Sequence, residues 1–179
     1  GAIILEALYS TDTYFKIILH NKMTSNYKEI KGNLIDLALA GEFDVIAHGC
    51  NCFCTIGAGI AVQMAKTFGC DKFNKESDLF KGNINKLGTI DFQKHNDLYV
   101  VNAYTQYMYG RNHVDGDIEP LDYDALTLCL RKMNHIFKDR HIGLPQIGCG
   151  LAGGDWHIVQ EIIKEELVDC NVTVVIYDK

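Results

Sequence analysis

The stretch Asp44-Val45-Ile46-Ala47-His48-Gly49-Cys50-Asn51, continued by Cys52-Phe53-Cys54-Thr55-Ile56-Gly57-Ala58-Gly59-Ile60-Ala61, decides the fold. An apolar run over 44–48 has strand character, the glycine turn Gly57-Ala58-Gly59 follows, and Ile60, Met64 and Phe68 then share one stripe of a helix over 60–68. The order recurs later: Ile142-Gly143-Leu144-Pro145 reads as a strand, Gly148-Cys149-Gly150-Leu151-Ala152-Gly153-Gly154 as a second glycine turn, and Asp155 as the cap of a helix reaching Leu167. A turn lacking side chains lets backbone N–H groups approach an anion, and the start of the next helix adds about half a positive charge. Two such turns in one small domain predict a diphosphate gripped from both sides.

Working outward, residues 27–31 read as a strand ending at Gly32, and 34–40 as a short helix stopped by Gly41. Strands over 87–93 and 98–104 flank the polar turn Lys94-His95-Asn96-Asp97. Residues 71–80 read as helical, 106–120 as irregular, and 121–138 as a helix with Leu126, Leu130, Met133 and Phe137 in phase. Residues 172–177 are a β-branched closing strand. Strands alternating with crossover helices predict an α/β fold, a three-layer α/β/α sandwich around a mixed central sheet, with both glycine turns on the strand-end edge where ligands bind.

The division expected is a domain over 23–179 preceded by residues 1–22. That leading segment reads either as a native hairpin, with strands at 3–9 and 14–19 around Ser10-Thr11-Asp12-Thr13, or as residues added ahead of a natural start at Met23. With 179 residues the chain suffices for one core without staples. The net charge of -6 argues against strong nucleic-acid binding. The 72–86 run, rich in lysine, reads as a solvated face. No apolar run approaches a membrane span and no leader is recognised, so a cytoplasmic protein without membrane contact is expected. Seven irregularly spaced cysteines fit reduced, mostly buried thiols; the alternating Cys50, Cys52 and Cys54 leave a zinc reading open, but no metal or cofactor is expected.

Several residue types keep two readings. Asn51 suits ribose hydroxyls or a local backbone turn, and His48 suits proton transfer or a satisfied core position. Cys149, between glycines, faintly matches a nucleophile elbow without keeping its frame. Trp156 reads as a core anchor beneath the second turn rather than a ligand contact. Tyr104, Tyr107 and Tyr109 lie where a strand enters the long loop, so one of them would flank the sugar. Neither the dinucleotide fingerprint nor a P-loop is present.

Over residues 27–179 the ordered set of segments resembles the macrodomain family. Lys31-Gly32-Asn33-Leu34-Ile35 is similar to the segment after the family's first core strand, with Asn33 replacing an Asp that receives the adenine amino group. His48-Gly49-Cys50-Asn51 with the Gly57 turn matches the first phosphate loop, Leu144 to Gly153 the second, and Val175-Ile176-Tyr177-Asp178 the closing strand. The resemblance implies an ADP-ribose site. Asn33 and Leu34 would meet the base with Tyr177 stacking on it, and Asn51 would hold the distal ribose. Gly57, Ala58, Gly59 and Ile60 would grip one side of the diphosphate, and Gly148, Cys149, Gly150, Leu151 and Ala152 the other.

The family includes readers, ADP-ribosyl hydrolases and ADP-ribose-1″-phosphate phosphatases. Ala61 stands where one hydrolase type has Asp, and Thr105 and Ala152 where another has its Lys and Asp. With His48 in the strand-end position and Asn33 after the first strand, the chain looks most similar to the stand-alone phosphatases, and to stand-alone forms of bacteria and phages, and small Ala152 leaves room for a phosphate. It implies hydrolysis of ADP-ribose-1″-phosphate with His48, Asn51 and Asp155 as catalytic residues. A reader without turnover, or a hydrolase acting on ADP-ribosylated protein or nucleic acid, are the alternatives. The partners implied are ADP-ribose, its 1″-phosphate, and ADP-ribosylated protein.

Overall fold

Strand β1 (Tyr27–Gly32) leads through Asn33 into helix α1 (Leu34–Leu39), and β2 (Val45–Asn51) leads through the first glycine turn into α2 (Ile60–Phe68). Next come β3 (Ile90–His95), β4 (Leu98–Gln106), α3 (Tyr123–Ile136), β5 (His141–Leu144), α4 (Trp156–Glu166) and β6 (Asn171–Tyr177). The computed structural model describes residues 26–56, 58–73, 81–108 and 120–178. The expected N-terminal hairpin, the boundary at Met23, Gly57, residues 74–80 of the expected helix, Tyr109 and most of the irregular stretch lie outside the described residues.

The strands form one sheet in the order β1-β6-β5-β2-β4-β3. All neighbours are parallel except β3, which runs antiparallel to β4 at the edge. Residue alternation along each strand feeds two cores. Val45, Ala47, Val101, Ala103 and Val174 pack with Leu126, Leu130 and Met133 of α3 and with Val159 and Ile163 of α4. Ile46, Val100 and Val175 pack instead with Leu34 and Ile35 of α1 and Met64 and Phe68 of α2. Among the described residues two helices lie on each face, which makes the expected α/β/α sandwich.

Element ends differ from the sequence reading where a cap or a tight turn overrides periodicity. The β3–β4 turn is only Asn96-Asp97, with Asn96 at φ 54°, so β3 extends to His95 and begins at Ile90 after a 3-10 turn at Ile84–Lys86. Asp122 caps α3 by accepting from the Ala125 N–H at 3.0 Å, which moves the helix start past Leu121. Residues 70–72 form a 3-10 turn rather than the start of an α-helix. No helix among the described residues is long and apolar enough to cross a membrane.

Candidate functional site

Strands β2 and β5 are neighbours, yet the chain leaves them toward opposite layers: β2 feeds α2 on one face and β5 feeds α4 on the other. Connections that diverge in this way open a crevice at the carboxyl edge of the sheet. Both glycine turns line it. A distal cavity of about 590 Å³ is bordered by Ala58, Gly59 and Ile60 on one side and by Gly148, Gly150 and Leu151 on the other. A second, proximal cavity of about 690 Å³ is lined by Asn33, Leu34 and Tyr177. The two share Gly59, Ile60, Pro145, Gln146 and Gly150, so they form one cleft pinched between the turns.

The pinch presents bare backbone to the cleft. Gly59 lies at φ 66°, ψ -151°, which a glycine adopts without strain, and a Cβ on Gly59 or on Gly150 would meet nothing within 4 Å. The backbone N–H groups of Gly59, Ile60, Gly150 and Leu151 have no acceptor among the described residues. The second turn is shaped from beneath: at Gly148, φ 75°, a Cβ would fall 2.6 Å from Leu121 Cδ1, and at Gly154 one would fall 2.7 Å from the Gly148 carbonyl. Ala152 lines the distal cavity, and Trp156 packs against the core below the turn without lining the cleft.

Asn51 takes the local-turn reading as well as a place in the cavity wall. Its Oδ1 accepts from the N–H of Phe53 at 3.0 Å and of Thr55 at 3.2 Å, and its Nδ2 donates to the Thr55 carbonyl at 2.9 Å. These bonds fold the chain sharply after β2. Cys52 is consequently buried and Cys54 sits at φ 56°, so the three alternating cysteines do not share one face. Among the described residues no three His, Cys, Asp or Glu groups converge as metal ligands would.

His48 differs in placement from the expectation that it meets the ligand. It has no solvent exposure and does not line the cleft, because strand alternation turns it into the layer between β2 and α2. Asn102 donates both amide hydrogens, to the Cys70 carbonyl at 2.9 Å and to Asp91 Oδ1 at 2.8 Å, so its Oδ1 accepts from His48 Nε2–H at 2.7 Å. The other ring nitrogen, Nδ1, has no partner among the described residues. Burial holds the imidazole below its ordinary pKa, so it is neutral at pH 7. Tyr104, whose hydroxyl donates to Asp91 Oδ2, and Asn102 carry this network to the cavity floor.

Asp155 also differs. It is exposed, caps α4 by accepting from the His157 N–H at 2.8 Å, and lines neither cavity. Asn33 likewise caps α1, its Oδ1 accepting from the Asp36 N–H at 3.0 Å, but it does line the proximal cavity. Cys149 lines that cavity too, and burial pushes its thiol up to about 11, which leaves it protonated rather than nucleophilic. Tyr177, 67% exposed, lines the same cavity. Thr105 is fully buried beneath Gly49, where a Cβ would meet its Oγ1 at 2.9 Å.

Sequence reasoning missed the far end of the distal cavity. Asp71, Lys72, Lys81 and Lys86 border it together with the Cys50, Cys54 and Cys70 side of the wall. Lys86 Nζ stands 4.7 Å from the Tyr104 ring centroid. Their one sequence signal was the lysine-rich run over 72–86, which gives no direction for those side chains.

Fold and cleft together define an α/β/α sandwich with a cleft between two glycine turns at the switch point of its sheet. A 17.5 kDa protein from the tk–vs intergenic region of Enterobacteria phage T4, itself uncharacterised, is 35% identical over 149 residues, covering 76% of this chain and 86% of the relative. The human ADP-ribose glycohydrolase OARD1 is 28% identical over 146 residues, covering 78% of this chain and 86% of that protein. The macrodomain of Thermus aquaticus DarG superposes with a TM-score of 0.63 at 20% identity, covering 86% of this chain and 98% of that one. No family model matches the chain. The chain has the macrodomain fold, as its sheet and this superposition show.

Proposed function

We propose that this macrodomain binds ADP-ribose along the cleft and hydrolyses ADP-ribose-1″-phosphate to ADP-ribose and inorganic phosphate. The observation that carries this reading is the distal cavity, which continues past Asn51 and is bordered by Lys72, Lys81 and Lys86. The adenine lies in the proximal cavity against Tyr177, with Asn33 and Leu34 beside it, and the diphosphate lies between Ala58, Gly59 and Ile60 and the Gly148 to Ala152 turn. Asn51 faces the distal ribose. The ester phosphate then reaches the lysines, which neutralise its charge as the bond to the ribose oxygen breaks.

Water attacks phosphorus, the phosphorus–O1″ bond breaks, and the released sugar oxygen takes a proton. Asp71 is the one carboxylate lining this end of the cavity among the described residues and is the group that takes the proton from water. His48 acts from below, as a neutral donor that fixes Asn102 in the floor. Asp155 stays with its helix cap.

A second reading has one observation in its favour, the OARD1 relative, whose name describes glycohydrolysis. Under that reading the bond cleaved is the one joining ADP-ribose to a modified protein. Phosphate release from ADP-ribose-1″-phosphate, measured beside ADP-ribose release from modified protein, separates the two. Tight ADP-ribose binding with neither release identifies a reader.

A further inference from the structure

The floor of the distal cavity is held from beneath by a carboxylate that the proposed chemistry does not use. Asp91 lies half-buried on β3 and pairs across the sheet with Asn102 of β4. Its Oδ1 accepts from Asn102 Nδ2 at 2.8 Å, and its Oδ2 accepts from the Tyr104 hydroxyl. Both donors line the cavity. Burial and this carboxylate hold the Tyr104 phenol well above its ordinary pKa, so it keeps the proton that it donates. The same ring carries Lys86 Nζ over its face, 4.7 Å from the centroid. The turn after Lys86 is also tied to the Tyr104 backbone, because the Gly88 N–H donates to the Tyr104 carbonyl at 2.8 Å and the Tyr104 N–H to the Thr89 carbonyl at 3.0 Å. A carboxylate only accepts, so Asp91 settles where both donors point and thereby the plane of the ring beneath the ammonium.

We infer that Asp91 is a positioning residue for phosphate release: it fixes the Tyr104 ring and, through that ring, the Lys86 ammonium at the rim that receives the ester phosphate. This assignment rests on the proposed hydrolysis in the distal cavity. Asp91 itself lines neither cavity, so it acts through Tyr104 and touches no substrate. The glycine turns and the proximal cavity are built on other elements, so its effect falls on turnover rather than on ADP-ribose affinity.

The test compares the full chain with Asp91→Asn, Tyr104→Phe and the double variant, all below the lowest of their melting temperatures. Calorimetry gives the ADP-ribose affinity, and phosphate release from ADP-ribose-1″-phosphate gives kcat and KM. Asp91→Asn puts a donor of the same size where one acceptor oxygen stood and turns one of the two partners away. Tyr104→Phe keeps the ring and removes only its anchor. Each should lower kcat by about tenfold, as a slightly misplaced charge does, while KM and ADP-ribose affinity stay within about threefold. The double variant should be within about twofold of the slower single one, because both changes break the same bond. An unchanged kcat in either single variant overturns the assignment. So does a kcat that falls together with ADP-ribose affinity, which is what loosening of the whole domain gives. If Asp91→Asn does not fold, Tyr104→Phe alone decides. If the unaltered protein binds ADP-ribose but releases no phosphate, the proposed hydrolysis itself fails and takes the assignment with it.

Discussion

Gly150 is the residue at which the proposed binding should separate from folding. A methyl group there meets no protein atom within 4 Å, whereas the same change at Gly148 drives into Leu121. Gly150→Ala should therefore melt within a few degrees of the parent while losing about tenfold or more in ADP-ribose affinity, because the methyl occupies the space of the ligand's phosphate. Thermal melting and titration of one preparation check both halves. Unchanged affinity would mean that the diphosphate does not pass between the turns. The glycines were legible in the sequence because absence of a side chain is itself the signal. Asn51 was half legible: an amide after a strand fits both a turn and a ligand, and here it makes the turn while lining the cavity.

Elements explain what the residue types left ambiguous. A strand sends alternate side chains to opposite faces, so the placement of His48 depends on the register of β2 beside β4, where it pairs with Asn102. Nothing within residues 44–51 states that register. Helix α4 raises the opposite case. Asp155 was legible as a cap from its position before Trp156, and the cap is what the structure builds. Asp155→Ala should cost about 1 kcal/mol of stability through the lost cap while phosphate release at a temperature where the protein stays folded is unchanged. Denaturant unfolding and a phosphate-release assay check this; a collapsed rate with unchanged stability would return Asp155 to the chemistry. The expected ends of α3 and β3 shifted for a related reason, since Asp122 and the Asn96-Asp97 turn set boundaries that apolar periodicity does not register.

For the whole molecule, the alternation of strands and helices made the three layers legible, and the two glycine turns located the edge at which the cleft opens. The lysine end of the cavity was not legible, because Lys72 belongs to a 3-10 turn after α2 and Lys86 to another before β3, and only the assembled sheet brings them to one rim. The buried floor beneath that rim has a global signature. His48 has its pKa lowered by burial, so at mildly acid pH the unfolded chain takes up a proton that the folded chain refuses. The stability this confers is complete above about pH 6.5 and falls as pH is lowered through that value, by up to about 1.4 kcal/mol per unit for one proton. Denaturant unfolding between pH 5 and 8 should show a decline toward acid that is shallower in His48→Gln; parallel curves for the two proteins would contradict the buried neutral imidazole.

The most direct measurement of the central claim is inorganic phosphate released when the full chain is incubated with ADP-ribose-1″-phosphate. The account predicts multiple turnovers, slowed competitively by added ADP-ribose because product and substrate share the cleft. Phosphate no higher than in a protein-free control, from a preparation that binds ADP-ribose, would contradict it.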